Sequence, residues 1–151
     1  MTLQIAPLAV ADRLPWEALA RGYKAFYETE VSPSQYETAW QRLLHHENTR
    51  EDVFGLGAHL DGRLVGITHY LFHTSAWAPR VCYLQDLFTA PSERGRGVGR
   101  ALITAVGAQA RADGIRRLYW QTHESNRAGR TLYDKVAQHH GFIVYAQDLT
   151  G

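Results

Sequence analysis

Cysteine is nearly absent: Cys82 stands alone in 151 residues, so no intrachain disulfide is possible and a disulfide-stapled fold is excluded. It lies in an apolar run and reads as a small core hydrophobe, which fits a reducing, cytosolic setting. A dominant charge is missing too. Lys+Arg of 16 against Asp+Glu of 15 leaves +1 with neutral histidines, so no global field draws the chain to nucleic acid or an anionic membrane. No stretch approaches the ~18 consecutive apolar residues of a membrane span. Ala9-Val10-Ala11 imitates a signal-peptidase site, but no Lys or Arg precedes Arg13 and Pro7 breaks the short apolar segment, so mature structure is expected here. Repeats, low-complexity tracts and linkers are also missing. With 45% hydrophobic and 21% charged residues, the composition is that of a folded globular domain, and one domain over residues 1–151 is expected.

Periodicity orders the elements. Leu3 and Ile5 alternate with polar residues and predict a short strand ending near Pro7. Over 14–27, Trp16, Leu19, Ala20, Tyr23, Phe26 and Tyr27 recur at three and four and predict an amphipathic helix. Ser32 caps a second helix with Pro33 in its first turn, Tyr36, Ala39, Trp40, Leu43 and Leu44 on one face, and His45 and His46 at its end. Residues 53–60 and 64–73, joined by Asp61-Gly62, predict a β-hairpin, because Asp-Gly accepts the positive φ angles of a tight turn. A strand over 81–89 stops at Ala90-Pro91. A helix follows from Val98 and is ended by Asp113-Gly114. A strand over 116–122, a helix over 126–140 and a last strand over 141–148 complete the order β-α-α-β-β-β-α-β-α-β. This is an α/β (mixed α+β) domain with a mixed sheet.

The segment with most chemistry is Arg94-Gly95-Arg96-Gly97-Val98-Gly99, set between a strand and a helix. Glycines at alternate positions let successive N–H groups converge on one point, and the helix N-terminus adds partial positive charge. With Arg94, Arg96 and Arg100 nearby, a pyrophosphate is the natural guest. The loop is neither Gly-x-x-x-x-Gly-Lys-[Ser/Thr] nor Gly-x-Gly-x-x-Gly with a distant acid, so no NTPase or NAD site follows. Adjacent histidine pairs at 45–46 and 139–140 point to different sides of a helix, and no metal site is expected.

Tyr83-Leu84-Gln85-Asp86-Leu87-Phe88-Thr89-Ala90-Pro91 followed by Arg94 to Leu102 resembles the acetyl-CoA-binding motif of the GNAT superfamily of N-acetyltransferases, whose core is [Gln/Arg]-x-x-Gly-x-[Gly/Ala]. Asn126 to Lys135, then Gly141-Phe142, resembles the family's later block. The likeness covers about residues 53–148, and its Leu-x-Asp-Leu-Phe pattern points to the branch of polyamine, diamine and yeast histone and D-amino-acid acetyltransferases.

The resemblance implies a mostly antiparallel, splayed mixed sheet flanked by helices. Leu87, Phe88 and Thr89 would line a gap that takes the pantetheine arm. Arg94, Gly95, Arg96, Gly97, Val98 and Gly99 would hold the pyrophosphate, with Arg100 behind, Asn126 beside the pantetheine and Tyr133 near the sulfur. A phenol is protonated at neutral pH, so Tyr133 suits protonation of the leaving thiolate. Gln85 replaces the glutamate that relatives use as base, and an amide cannot take that proton. Asp86 remains, on the face opposite Gln85 unless a bulge intervenes, as do His69, His73, His123, Glu124 and a route through water.

The implied function is transfer of an acetyl group from acetyl-CoA to a small primary amine in a ternary complex. Acetylation of a protein lysine or N-terminus, and a non-catalytic acetyl-CoA-binding module, are the alternatives. Trp16, Tyr23, Tyr27, Tyr36, Trp40, Tyr70 and Trp77 are candidate walls of the acceptor site, with Glu28, Glu30 and Glu37 as ammonium partners. Analogy adds a homodimer and no metal.

Overall fold

The computed structural model describes residues 1–49 and 51–150. They fall into two compact units, Met1–Gln121 and Thr122 onward. The first carries β1 (Leu3–Pro7), α1 (Arg13–Phe26), α2 (Pro33–Leu44), β2 (Val53–Leu60), β3 (Arg63–His73), β4 (Val81–Thr89), α3 (Val98–Ala112) and β5 (Leu118–Tyr119). The second carries α4 (Arg127–Val136).

Local chemistry explains most boundaries in the first unit. Asp61 at φ 51° and Gly62 at φ 84° close the β2–β3 hairpin. The Ser32 N–H donates to Gln35 Oε1 at 2.9 Å in front of Pro33, which starts α2. Gly114 at φ 76° ends α3. The strands lie in the order β1-β2-β3-β4-β5, antiparallel through β4, with β5 parallel to β4.

Two helical layers cover the two faces. On one, α1 and α2 bury Trp16, Leu19, Tyr36, Trp40 and Leu43 in a cluster with Ile67 of β3 and Phe88 of β4. On the other, α3 buries Val98, Leu102, Ile103, Val106 and Ala110. Gly66 marks the close approach of that second layer, since a Cβ there would lie 2.7 Å from Val98 Cγ1.

Three expectations change. Only Leu118–Tyr119 pairs with β4, through Cys82↔Leu118 and Tyr83↔Tyr119, although residues 116–122 alternate like a longer strand. Helix α4 ends at Val136, because Ala137 is extended at φ −152° and ψ −174°. The strand expected over 141–148 is not formed: 137–150 hold no helix or strand, and Phe142, Ile143, Val144 and Tyr145 are exposed. Alternation makes a segment fit to be a strand, but a ladder needs a partner for its N–H and C=O groups.

Candidate functional site

The α1/α2 face holds a cavity of about 440 Å³, lined from α1, α2, β3 and β4. Its chemistry centres on Asp86. The β3–β4 register pairs His69 with Asp86 but Tyr70 with Leu84, so Gln85 is the extra residue of a β-bulge. The bulge resets the alternation. Asp86 then shares the α1/α2 face with Phe88, and both Gln85 and Asp86 line the cavity. The condition left open by the sequence is met.

Around Asp86 the donors are ordered. The His69 ring nitrogen Nδ1 lies 2.9 Å from Asp86 Oδ2, and Trp16 Nε1 donates to His69 Nε2 at 2.9 Å. An indole N–H only donates, so Nε2 accepts and Nδ1 carries the proton given to Asp86. That leaves His69 a positioning group with both nitrogens engaged. The Tyr23 hydroxyl also donates to Asp86. Burial pushes the Asp86 carboxyl up, but the bond from His69 and its electrostatic attraction, the bond from Tyr23 and the charge of Lys24 outweigh it and hold it below the usual carboxylate range. Burial, reinforced by the Asp86 charge, pushes the Tyr23 phenol far above its ordinary value, so Tyr23 stays a donor. Lys24 and Arg42 bring positive charge to the same lining.

A second feature adjoins it on β4. Among the described residues the strand pairs with β5 through Cys82 and Tyr83, and from Leu84 to Thr89 no β5 residue is registered opposite it. That stretch leads to the glycine loop. Gly95 and Gly97 both have φ 80°, and a Cβ on either would meet nothing within 4 Å, so the loop is an open cradle at the N-terminus of α3. Val98 is buried beneath it, leaving only its main chain to face a ligand. The arginines differ in role. Arg94 donates to Thr89 O at 3.2 Å and lies 5.3 Å over the Phe88 ring, and Arg96 pairs with the buried Glu93 at 3.4 Å, whereas Arg100 is exposed.

The other candidates separate. Trp16, Tyr23 and Tyr36 line the cavity. Trp40 packs 5.1 Å from Trp16 in the core, Tyr70 lines a different cavity beside Phe54, and Trp77 is 95% exposed. The expected ammonium partners are elsewhere too. Glu37 is held by Arg13 at 3.0 Å, and Glu28 and Glu30 are exposed outside the lining, so Asp86 is the cavity's carboxylate. His73 is bonded to Thr74 O and Tyr119 Oη, at 2.9 and 2.8 Å. Cys82 is buried with its thiol pushed up to about 11 by burial, as befits an inert core thiol.

The second unit holds Asn126, Tyr133, His123 and Glu124. Asn126 caps α4: its Oδ1 accepts from Gly129 N at 3.1 Å and its Nδ2 donates to Thr122 Oγ1 at 2.9 Å. Tyr133 lies in the last turns of that helix. Sequence reasoning missed Lys24 and Arg42, whose signal was their place on the polar flanks of two helices that share one apolar seam. Among the described residues, no three His, Cys, Asp or Glu come together as a metal site, and no helix is long and apolar enough to cross a membrane.

Comparison with known proteins adds three kinds of likeness. The sequence model of the acetyltransferase (GNAT) family matches residues 16–138. The chain is 29% identical over 138 residues to the D-amino-acid N-acetyltransferase HPA3 of Saccharomyces cerevisiae, covering 91% of this chain and 85% of that protein. It is 30% identical over 148 residues to the uncharacterized N-acetyltransferase YhfO of Bacillus subtilis, covering 95% of each. Among solved structures, AAC(6')-Iy in complex with a CoA-containing bisubstrate analogue superposes with a TM-score of 0.85 at 16% identity, covering 99% of this chain and 100% of that one.

Proposed function

The chain belongs to the acetyltransferase (GNAT) family and is an N-acetyltransferase; from that premise we propose that it moves the acetyl group of acetyl-CoA to a small primary amine held in the α1/α2 cavity. The observation that carries this reading is one stretch of β4. It has no β5 residue registered opposite Leu84–Thr89 among the described residues, runs into an open glycine cradle at a helix N-terminus, and presents the ionised Asp86 to a walled cavity. Leu87, Phe88 and Thr89 offer main-chain groups to the pantetheine arm. The N–H groups of Gly95, Gly97, Val98 and Gly99 hold the pyrophosphate, with Arg94, Arg96 and Arg100 supplying charge. Acetyl-CoA, when bound, supplies an activated acyl group as a thioester.

The rest is done by the chain and the acceptor. Asp86 draws the amine in, and the nitrogen attacks as its neutral form after losing a proton to water along the cavity. The C–N bond forms, the C–S bond breaks and the sulfur leaves as a thiolate that receives a proton from Tyr133, while the nitrogen gives its second proton to water, from which the Tyr133 phenolate is reprotonated. The proposed route is direct attack in a ternary complex, with no covalent intermediate on the protein. Asn126, at the start of the helix that bears Tyr133, is assigned to the pantetheine by the family resemblance alone. A cavity of about 440 Å³ lies in the range of small-molecule sites, which favours a small acceptor over a protein one.

Calorimetry of acetyl-CoA binding tests the cradle. Gly97→Val forces a β-branched residue to φ 80° and puts its side chain in the open space of the loop. The dissociation constant should rise at least about tenfold. An unchanged constant would remove the loop from the site.

A homodimer is the proposed assembly, in a reducing compartment. The exposed apolar run at Phe142, Ile143, Val144 and Tyr145 supports it, since such runs on a water-facing surface mark contact sites. Sedimentation equilibrium should give twice the chain mass, falling toward the monomer in Val144→Asp. A monomeric parent would overturn the assembly.

A further inference from the structure

Resting on the reading of this cavity as the acceptor site, we propose that the acceptor carries a carboxylate as well as its amine, so that it is an amino acid rather than a di- or polyamine, and that Lys24 and Arg42 receive the carboxylate. The argument is one of charges and their partners. On α1 and α2, Arg13 is satisfied by Glu17 at 2.9 Å and Glu37 at 3.0 Å, and Arg21 by Glu17 at 3.0 Å. Those two acids are thereby used. Lys24 and Arg42, on the same helices, line the cavity and make no ion pair or hydrogen bond among the described residues. Facing them is one carboxylate, Asp86, already accepting from His69 and Tyr23.

The charge of Lys24 already acts on Asp86, so with Arg42 the lining carries two cations against one carboxylate and is left with positive charge in excess. A zwitterion matches both signs: its ammonium meets Asp86 and its carboxylate makes charge-assisted bonds to Lys24 and Arg42. A diamine reverses the fit. With one ammonium at Asp86, its second would stand beside Lys24 and Arg42, where like charges repel. Trp16, Val31 and Tyr36 leave an apolar wall for the side chain.

The test is acetyl-CoA-dependent thiol release measured on pairs that differ only in the carboxylate: lysine against 1,5-diaminopentane, and phenylalanine against phenethylamine, with both enantiomers of each amino acid. In the parent protein, kcat/KM for the amino acid should exceed that of its decarboxylated partner at least tenfold. In Arg42→Gln combined with Lys24→Gln, that ratio should fall at least tenfold; the Arg42 side chain is exposed, and a thermal melt checks that the pair folds. Equal rates on the two members of each pair, or a preference for the amines, would overturn the inference while leaving the transferase reading intact. A preference that survives the double substitution would overturn the assignment to Lys24 and Arg42. No turnover on any acceptor, with acetyl-CoA still bound, would overturn the acceptor-cavity reading and this inference with it.

Discussion

Asp86→Asn should lower kcat/KM for the amine by roughly 10²-fold or more, with the folded structure retained. The substitution keeps shape and removes charge. An amide oxygen can still accept from His69 Nδ1–H or from the Tyr23 hydroxyl, so the bulge has a partner left. What disappears is the anion that attracts the amine, and Lys24 and Arg42 then stand in the cavity with no negative charge opposite. The pH dependence separates this role from that of a titrating base. Asp86 is held below the ordinary carboxylate range, so it stays ionised from neutral pH down past pH 5. The acid fall of kcat/KM in the parent should then follow protonation of the acceptor amine, and change when an amine of different pKa is used.

Stability obeys the same sign. The folded value is depressed, so the carboxylate stabilises the fold above its unfolded value of about 4, and that contribution is lost as pH falls through the lower folded value. Urea titrations should show the parent's advantage over Asp86→Asn at pH 6 to 7 and its disappearance toward pH 3. Retention of kcat/KM within threefold would make Asp86 a bystander.

How much of this was readable beforehand follows from how far each feature reaches along the chain. The β2–β3 hairpin and the start of α2 are local: Asp61-Gly62 and Ser32-Pro33 carry their own backbone preferences, and the structure agrees. The loop from Arg94 to Gly99 is likewise recognisable, though two of its arginines are tied to Thr89 O and Glu93 by contacts that no local pattern announces. The bulge at Gln85 is different. Strict alternation would put Asp86 on the α3 face with Leu84; only pairing to His69, 17 residues away, turns it to the cavity. The nearness of Lys24 to Arg42 needs the packing of two helices, and residues 141–148 have strand periodicity but form no strand. Periodicity thus gives elements and faces, while register and partners come from contacts distant in sequence.

Register decides which carboxylate faces the cavity, and the remaining chemical demand of the proposed reaction is the leaving group. Tyr133→Phe should cut kcat by about 10²- to 10³-fold, with a smaller change in KM for acetyl-CoA. A thiol loses its proton near pH 8.5, so the sulfur departing at neutral pH must gain one, and a phenol with an ordinary value of about 10 is a protonated donor there. Phenylalanine keeps the ring of Tyr133 and its contribution to α4 but removes that proton. Two readings of the residue then diverge in a single-turnover experiment. If Tyr133 protonates the leaving sulfur, the loss sits in the chemical step, and an acyl donor with a more acidic thiol should recover much of the rate in Tyr133→Phe while accelerating the parent little. If Tyr133 only packs, kcat stays within twofold and the acidity of the leaving thiol affects both proteins alike.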